Sequence, residues 1–196
     1  QLRSGSSETS GRKSTTYPIL KSSAVRHGAI DFTDINYLNE SQSARPENFI
    51  QSGDFLITRL SGSVHYVGCS AVVGANAPEG IQYPDRIFCG KLTSMIKGAF
   101  LTYCFQHSGV RRVLEEAAKS TAGHQRISLT DLTSLVIPLP SLAEQEAIVE
   151  AVEDQLSIVD HLEADLEVKL KNAQVLRQSI LHHAFVCGPG RTTPIG

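Results

Sequence analysis

The spacing of apolar positions changes part-way along this 196-residue chain. From Tyr17 to about Ile137 the apolar residues come in short runs separated by turn formers. "YPILKSSAV", "GAIDF", "DFLITRL", "HYVGCSAVVG" and "DRIFCGKL" have strand length and are bounded by Gly, Pro, Asn, Asp or Ser. "GDFLITRLSG" is the best marked of them. Gly53-Asp54 turns the chain in, alternation puts Phe55 and Ile57 on one face with Arg59 next in line, and Ser61-Gly62 turns it out. "MIKGAFLTYCFQHSGVRRVLEEAAKS" instead repeats at helical spacing and ends near Lys119. "LTSLVIPLP" reads as a last strand with a straight exit, because Pro138 and Pro140 hold the chain extended. The pattern predicts an α+β unit over 17–140, with a mixed or antiparallel sheet and one or two helices. Residues 1–16, mostly Ser, Thr and Gly, read as a flexible lead, and 189–196 as a tail.

A different device begins at Ser141. Ser141 and Glu144 have the S-x-x-E spacing of a capping box, which satisfies free N–H groups at a helix start. No Pro or Gly follows until Gly188-Pro189, which predicts a helix over 141–188 of about 46 residues, roughly 69 Å at 1.5 Å per residue. Leu156, Val159, Leu162, Leu166, Leu170, Ala173, Leu176, Ile180 and Ala184 recur every ~3.5 residues, the period of a supercoiled seam. Ile148, Val149, Val152, Ile158 and Leu181 widen that stripe, and Val152 to Ile180 are the expected contacts with a partner helix. A helix this long exceeds the ~30 Å breadth of a domain of some 120 residues, so it calls for a partner helix.

Charge sharpens the division. The net charge of −2 conceals 14 Lys/Arg against 11 Asp/Glu in residues 1–140, and 3 against 9 in residues 141–188. An acidic helix is repelled by phosphate, so it is expected to meet protein. The 41% hydrophobic content is ordinary for a globular chain, and no apolar run reaches the length of a membrane span. The start lacks the apolar core of a secretory signal and an initiator Met, which suggests a fragment from a cytoplasmic protein. Cys69, Cys89, Cys104 and Cys187 show no CxxC and no ligand spacing, so they read as reduced thiols and imply no metal site. "GSSETSGRKS" resembles a P-loop only superficially, since its glycines are one residue too far apart and no strand precedes it.

The residues at the junction carry a resemblance. "GHQRISLTDLTSLVIPLPSLAEQEAIVEAVEDQL", followed by "LRQSILHHAF", resembles the specificity (S) subunit of type I restriction-modification systems. The matching elements are Ile127, Asp131, Leu132, Ile137 to Pro140, Leu142, Glu144, Gln145, Ile148, Val149, Leu176 to Leu181, Ala184 and Phe185. Upstream, "GDFLITRLSG", "VGCSAVV" and "ILKSSAVRHGAID" resemble the family's target-recognition domain. A complete S subunit carries two such domains and two helical regions; this chain has one of each and no Trp, which implies a half-length or truncated subunit. The resemblance implies a noncatalytic role. The recognition domain reads double-stranded DNA, and the helix spaces it and docks methyltransferase subunits, through which a restriction subunit is reached. S-adenosylmethionine would belong to the methyltransferase partner, and this chain would hold no cofactor.

Basic and amide side chains in turn-rich places are the expected DNA contacts: Lys21, Ser22, Arg26 and His27; Arg59, Ser61, Ser63 and His65; Thr121, His124, Gln125 and Arg126. The helix, with acidic residues first and Lys169, Lys171 and Arg177 later, suits an antiparallel homodimer reading a split, inverted-repeat site. Catalysis by this chain is not expected, because the [DN]-P-P-[FY] motif, HExxH and G-x-S-x-G are all missing. The alternative function is a coiled-coil adaptor whose recognition domain no longer reads DNA.

Overall fold

The structure, a computed structural model, describes residues 2–5, 7, 10–11, 17–39, 45–119 and 125–186. The chain divides into two compact units, Gln1–Val149 and Glu150–Gly196. Strands β1 (Leu2–Ser4), β2 (Ser10–Gly11), β3 (Pro18–Leu20), β4 (Ile35–Leu38), β5 (Asp54–Thr58), β6 (Leu60–Ser61), β7 (Ser70–Val72) and β8 (Ile87–Lys91) come first. Helices α1 (Gly98–Gln106) and α2 (Ser108–Lys119), strand β9 (Gln125–Arg126), helix α3 (Leu129–Thr133) and helix α4 (Leu142–Val186) follow. The strands form antiparallel sheets in the orders β1-β8-β5-β7, β2-β4-β3 and β6-β9. One isolated parallel bridge, Ile19 to Gln82, ties the second sheet to the segment before β8.

Strand β5 organises the first unit because neither of its faces meets solvent. Phe55 and Ile57 join Phe88, Phe105, Leu114, Ile127 and Leu132 on one side. Leu56 joins Leu20, Ala71, Tyr83, Ile87 and Cys89 on the other. The strict alternation of β-strand side chains sends consecutive residues to opposite cores. Burial of each large apolar side chain contributes about 1.5–3 kcal/mol. Phe55 and Phe105 add an edge-to-face contact, with ring centroids 5.4 Å apart at 68°. The strand starts at a tight turn: Gly53 has φ +84, and the buried Asp54 carboxylate accepts the Gln51 N–H at 2.9 Å and lies 2.5 Å from Lys91 Nζ. Burial, then the Asp54 charge, pushes the Cys89 thiol up to about 12, so this thiol is an inert part of the core.

Several elements differ from their sequence-based expectation. Within the expected flexible lead, Leu2–Ser4 is an edge strand of the central sheet, paired with Phe88–Gly90. Its stability comes from a partner far away in sequence, which local composition does not register. The helical stretch, by contrast, is helical as expected and divides into two helices at His107, whose extended backbone (ψ 134) ends α1. The His107 ring then accepts the Gly109 N–H at 3.2 Å as α2 begins. "LTSLVIPLP" forms no strand: Ser128 and Asp131 make a capping box that opens the short helix α3, and residues 135–141 run on without a ladder. "GAIDF" contributes only the bridge from Ile30 to Val25, while the neighbouring "INYL" supplies β4.

Helix α4 is continuous over 45 residues. Ser141 Oγ accepts the Glu144 N–H at 3.3 Å, and Glu144 accepts the Ser141 N–H at 2.9 Å, closing the expected capping box. The next residue is the anchor. Gln145 is fully buried; its Oε1 accepts the Lys97 N–H at 2.8 Å, and its Nε2 donates to Met95 O at 3.0 Å and Pro140 O at 2.9 Å. Lys97 Nζ also lies 2.5 Å from Glu146 Oε1. The first turn of α4 is thereby pinned to the loop that opens α1. Further along, the apolar stripe is uncovered in the single chain: Leu156, Val159, Leu162, Leu166, Leu170, Leu176 and Ile180 are 44–63% exposed.

Candidate nucleic-acid interface

Three segments distant in sequence converge at the Thr58 end of β5. The first two are joined by the β6–β9 ribbon, in which Leu60 faces Arg126 and Ser61 faces Gln125. Arg59 O accepts the Ile127 N–H at 3.0 Å, and Ile127, fully buried in the core, anchors the ribbon to the sheet. Gln125 is half-buried and Arg126 exposed.

Beyond β6 the chain makes a single turn of 3-10 helix, Val64–Tyr66, and returns into β7 through Gly68. Gly68 is at φ +74, a backbone conformation that strains any side chain, and a Cβ there would stand 2.7 Å from Leu114 Cδ1, which would have to shift. Arg111 holds this loop against α2. Its guanidinium, 12% exposed, donates to Val67 O at 2.7 Å and His65 O at 3.0 Å, and pairs with Glu115 at 3.0 Å. Ser63 and Ser61 are half-buried, and the His65 ring is 77% exposed, 3.7 Å from Glu115. Arg111 and Glu115 have the i,i+4 spacing of an ordinary pair on one helix face. That pair exists, but the carbonyls it braces come from a loop more than forty residues earlier.

The third segment is the loop after β3. Gly28 N donates to Ser70 O at 2.9 Å, which lays the loop beside β7. The Arg26 guanidinium stacks 4.4 Å above the Tyr66 ring and donates to Val25 O, a cation–π contact that leaves its charge in place. His27 Nε2 lies 3.3 Å from Cys69 Sγ. Burial first, then the nearby Arg111 charge, lowers the His27 pKa, so the ring is neutral at pH 7.

The expected contact residues therefore divide. Arg26, His27, Ser61, Ser63, His65, Gln125 and Arg126 are brought together. Ser22 is half-buried in the 3-10 turn Ser22–Ala24. Lys21 is committed to Asp34, whose carboxyl is held below its usual range by hydrogen bonds from Lys21 and Ser23. Arg59 is half-buried, with its guanidinium on Asp85 O at 3.1 Å and over the Phe88 ring at 5.4 Å, so it serves the fold. Thr121 and His124 lie outside the described residues. Among the described residues no group of His, Cys, Asp and Glu could hold a metal ion. The chemistry the cluster offers is recognition: the exposed Arg126 guanidinium for phosphate or guanine, with hydroxyl and imidazole groups beside it, while the Gln125 Oε1 is buried without a hydrogen-bond partner.

Residues 6–172 match the family described as the type I restriction modification DNA specificity domain. The chain belongs to this family. Among the curated relatives of the specificity domain, the type I restriction enzyme EcoKI specificity subunit of Escherichia coli K12 is 32% identical over 185 residues, 94% of this chain and 40% of the relative. The StySPI specificity subunit of Salmonella potsdam is 29% identical over 173 residues, 84% of this chain and 35% of the relative. The chain thus spans less than half the length of these relatives. The HsdS subunit of Thermoanaerobacter tengcongensis shares the fold, with a TM-score of 0.61 at 17% identity over 95% of this chain and 49% of that one. So does a chain from a structure of type I R-M complex assembly, with a TM-score of 0.62 at 19% identity over 94% of this chain and 43% of that one. The α+β architecture with antiparallel sheets and a long C-terminal helix is the fold shared with these structures. No described helix is long and apolar enough to cross a membrane.

Proposed function

We propose that this specificity domain is a noncatalytic reader of one half of a bipartite DNA site within a cytoplasmic type I restriction-modification system. The observation that carries the reading is the convergence of the 22–28 loop, the 59–68 segment and Gln125–Arg126 on one end of a rigid sheet. Loops braced by buried struts such as Arg111 can hold polar side chains at fixed positions, as base-edge recognition requires. With 14 Lys/Arg against 11 Asp/Glu in residues 1–140, a surplus of only three positive charges, the chain alone binds duplex DNA weakly and with strong salt dependence. Helix α4 serves as the protein-contact element: it pairs with a second copy in antiparallel sense and docks methyltransferase subunits, which would carry S-adenosylmethionine and recruit the restriction subunit.

The test is co-expression with a type I methyltransferase subunit, followed by mapping of N6-methyladenine in the host genome. The expected result is a methylated two-part motif that shifts or vanishes in an Arg126→Ala/Gln125→Ala variant. If the complex assembles but methylates nothing, and no duplex binds at low salt, the coiled-coil adaptor is the correct reading.

A further inference from the structure

We infer that the stripe on α4 has a built-in two-fold centre at Leu166, which fixes the register in which two copies of this chain pair. The inference rests on the antiparallel pairing proposed above and adds where the axis passes. From Val152 to Ile180 the stripe residues follow at intervals of 4, 3, 3, 4, 4, 3, 3 and 4, which read the same in both directions about Leu166. An antiparallel copy turned about that point sets Val152 on Ile180, Leu156 on Leu176, Val159 on Ala173, Leu162 on Leu170, and Leu166 on itself. Centres at Val159 or Ala173 also match intervals locally, but each leaves the far end of the exposed stripe without a counterpart.

The flanks agree with the same register. All nine acidic residues of α4 lie at or before Glu167, and Lys169, Lys171 and Arg177 all follow it. In antiparallel pairs, residues that follow a seam position face each other on one flank, and residues that precede one face each other on the opposite flank. Reflection about Leu166 then brings Glu153 near Arg177 of the second copy and Asp160 near its Lys171. On the opposite flank the Asp165–Lys169 pair, 2.6 Å apart within one chain, faces the same pair of the second copy, and Ile158 meets its Val175, two side chains that are 54% and 62% exposed in the single chain. A parallel pair would set acidic halves side by side.

Cysteine cross-linking of the full chain tests this, in a Cys104→Ser/Cys187→Ser background. A disulfide needs Cα atoms within about 7 Å, and in this register only the dyad residue meets its own copy that closely. Leu166→Cys should cross-link to itself on mild oxidation. Leu156→Cys and Leu176→Cys should not, since equivalent Leu156 positions lie about 30 Å apart, yet the two variants mixed should cross-link to each other. Self-cross-linking at Leu156 as efficient as at Leu166 would overturn the proposal in favour of a parallel pair. A dimer by light scattering without the Leu166 cross-link would overturn the register and leave the pairing intact. A monomer would overturn the pairing itself.

Discussion

Gln145→Ala should destabilise the first unit far more than a single surface substitution does. The amide is fully buried and makes three hydrogen bonds, to Lys97 N–H, Met95 O and Pro140 O. At a net ~0.5–1.5 kcal/mol each, with Lys97 N–H losing its acceptor, the loss comes to about 2–4 kcal/mol. For a unit of this size that corresponds to a fall in Tm of about 6–12 °C. All five tyrosines lie between Tyr17 and Tyr103, so near-ultraviolet circular dichroism reports on this unit without interference from α4. Gln145→Glu separates the donor from the acceptor role. A carboxylate could still accept from Lys97 N–H, but at neutral pH it would oppose Met95 O and Pro140 O, so it should rescue nothing. A Gln145→Ala shift within about 1 °C would refute the anchor, and full recovery in Gln145→Glu would refute the contribution of its donors.

Three further outcomes follow from the same geometry. Arg111→Ala should leave Glu115 and two loop carbonyls without their partner, costing about 2–3 kcal/mol and raising amide exchange in 63–68; Arg111→Lys, unable to fork between two carbonyls, should recover less than half. Gly68→Ala should cost more than about 2 kcal/mol, through its positive φ and the clash with Leu114; a melting temperature equal to the parent would contradict the close approach. His27 has a lowered pKa when folded, so the unfolded chain binds its proton more readily. Stability is therefore full above pH ~6.5 and declines as pH falls below that value, and in His27→Gln the decline between pH 7 and 5.5 should be shallower.

The elements that proved legible are those whose signal is local. The β5 alternation and the Ser141–Glu144 capping box depend on residues within one strand or one turn, and the length of α4 follows from an uninterrupted run without Pro or Gly. What escaped the sequence depends on distant partners. Leu2–Ser4 is a strand only because β8 offers it an edge, and Arg111 is a strut only because a loop forty residues earlier presents two carbonyls. Capping chemistry at Ser128–Asp131 was present in the residues, yet the apolar run after it suggested a strand. Within the candidate interface, residue types were readable and their roles were not. Arg26 and Arg59 look alike in sequence, but only Arg26 sits over a 45% exposed ring at the converging loops, while Arg59 is spent on Asp85 O and the Phe88 ring.

The β6–β9 ribbon has a consequence for retargeting. Its two strands are two residues each, and each supplies the other's backbone partners, so neither has an independent conformation to transplant. A graft that imports residues 59–66 from a relative while keeping 125–127 would place foreign side chains on a mismatched ladder. Exchange of preference between members of this family should therefore succeed when the two stretches travel together and fail when they are separated, even though more than fifty residues of unrelated chain lie between them.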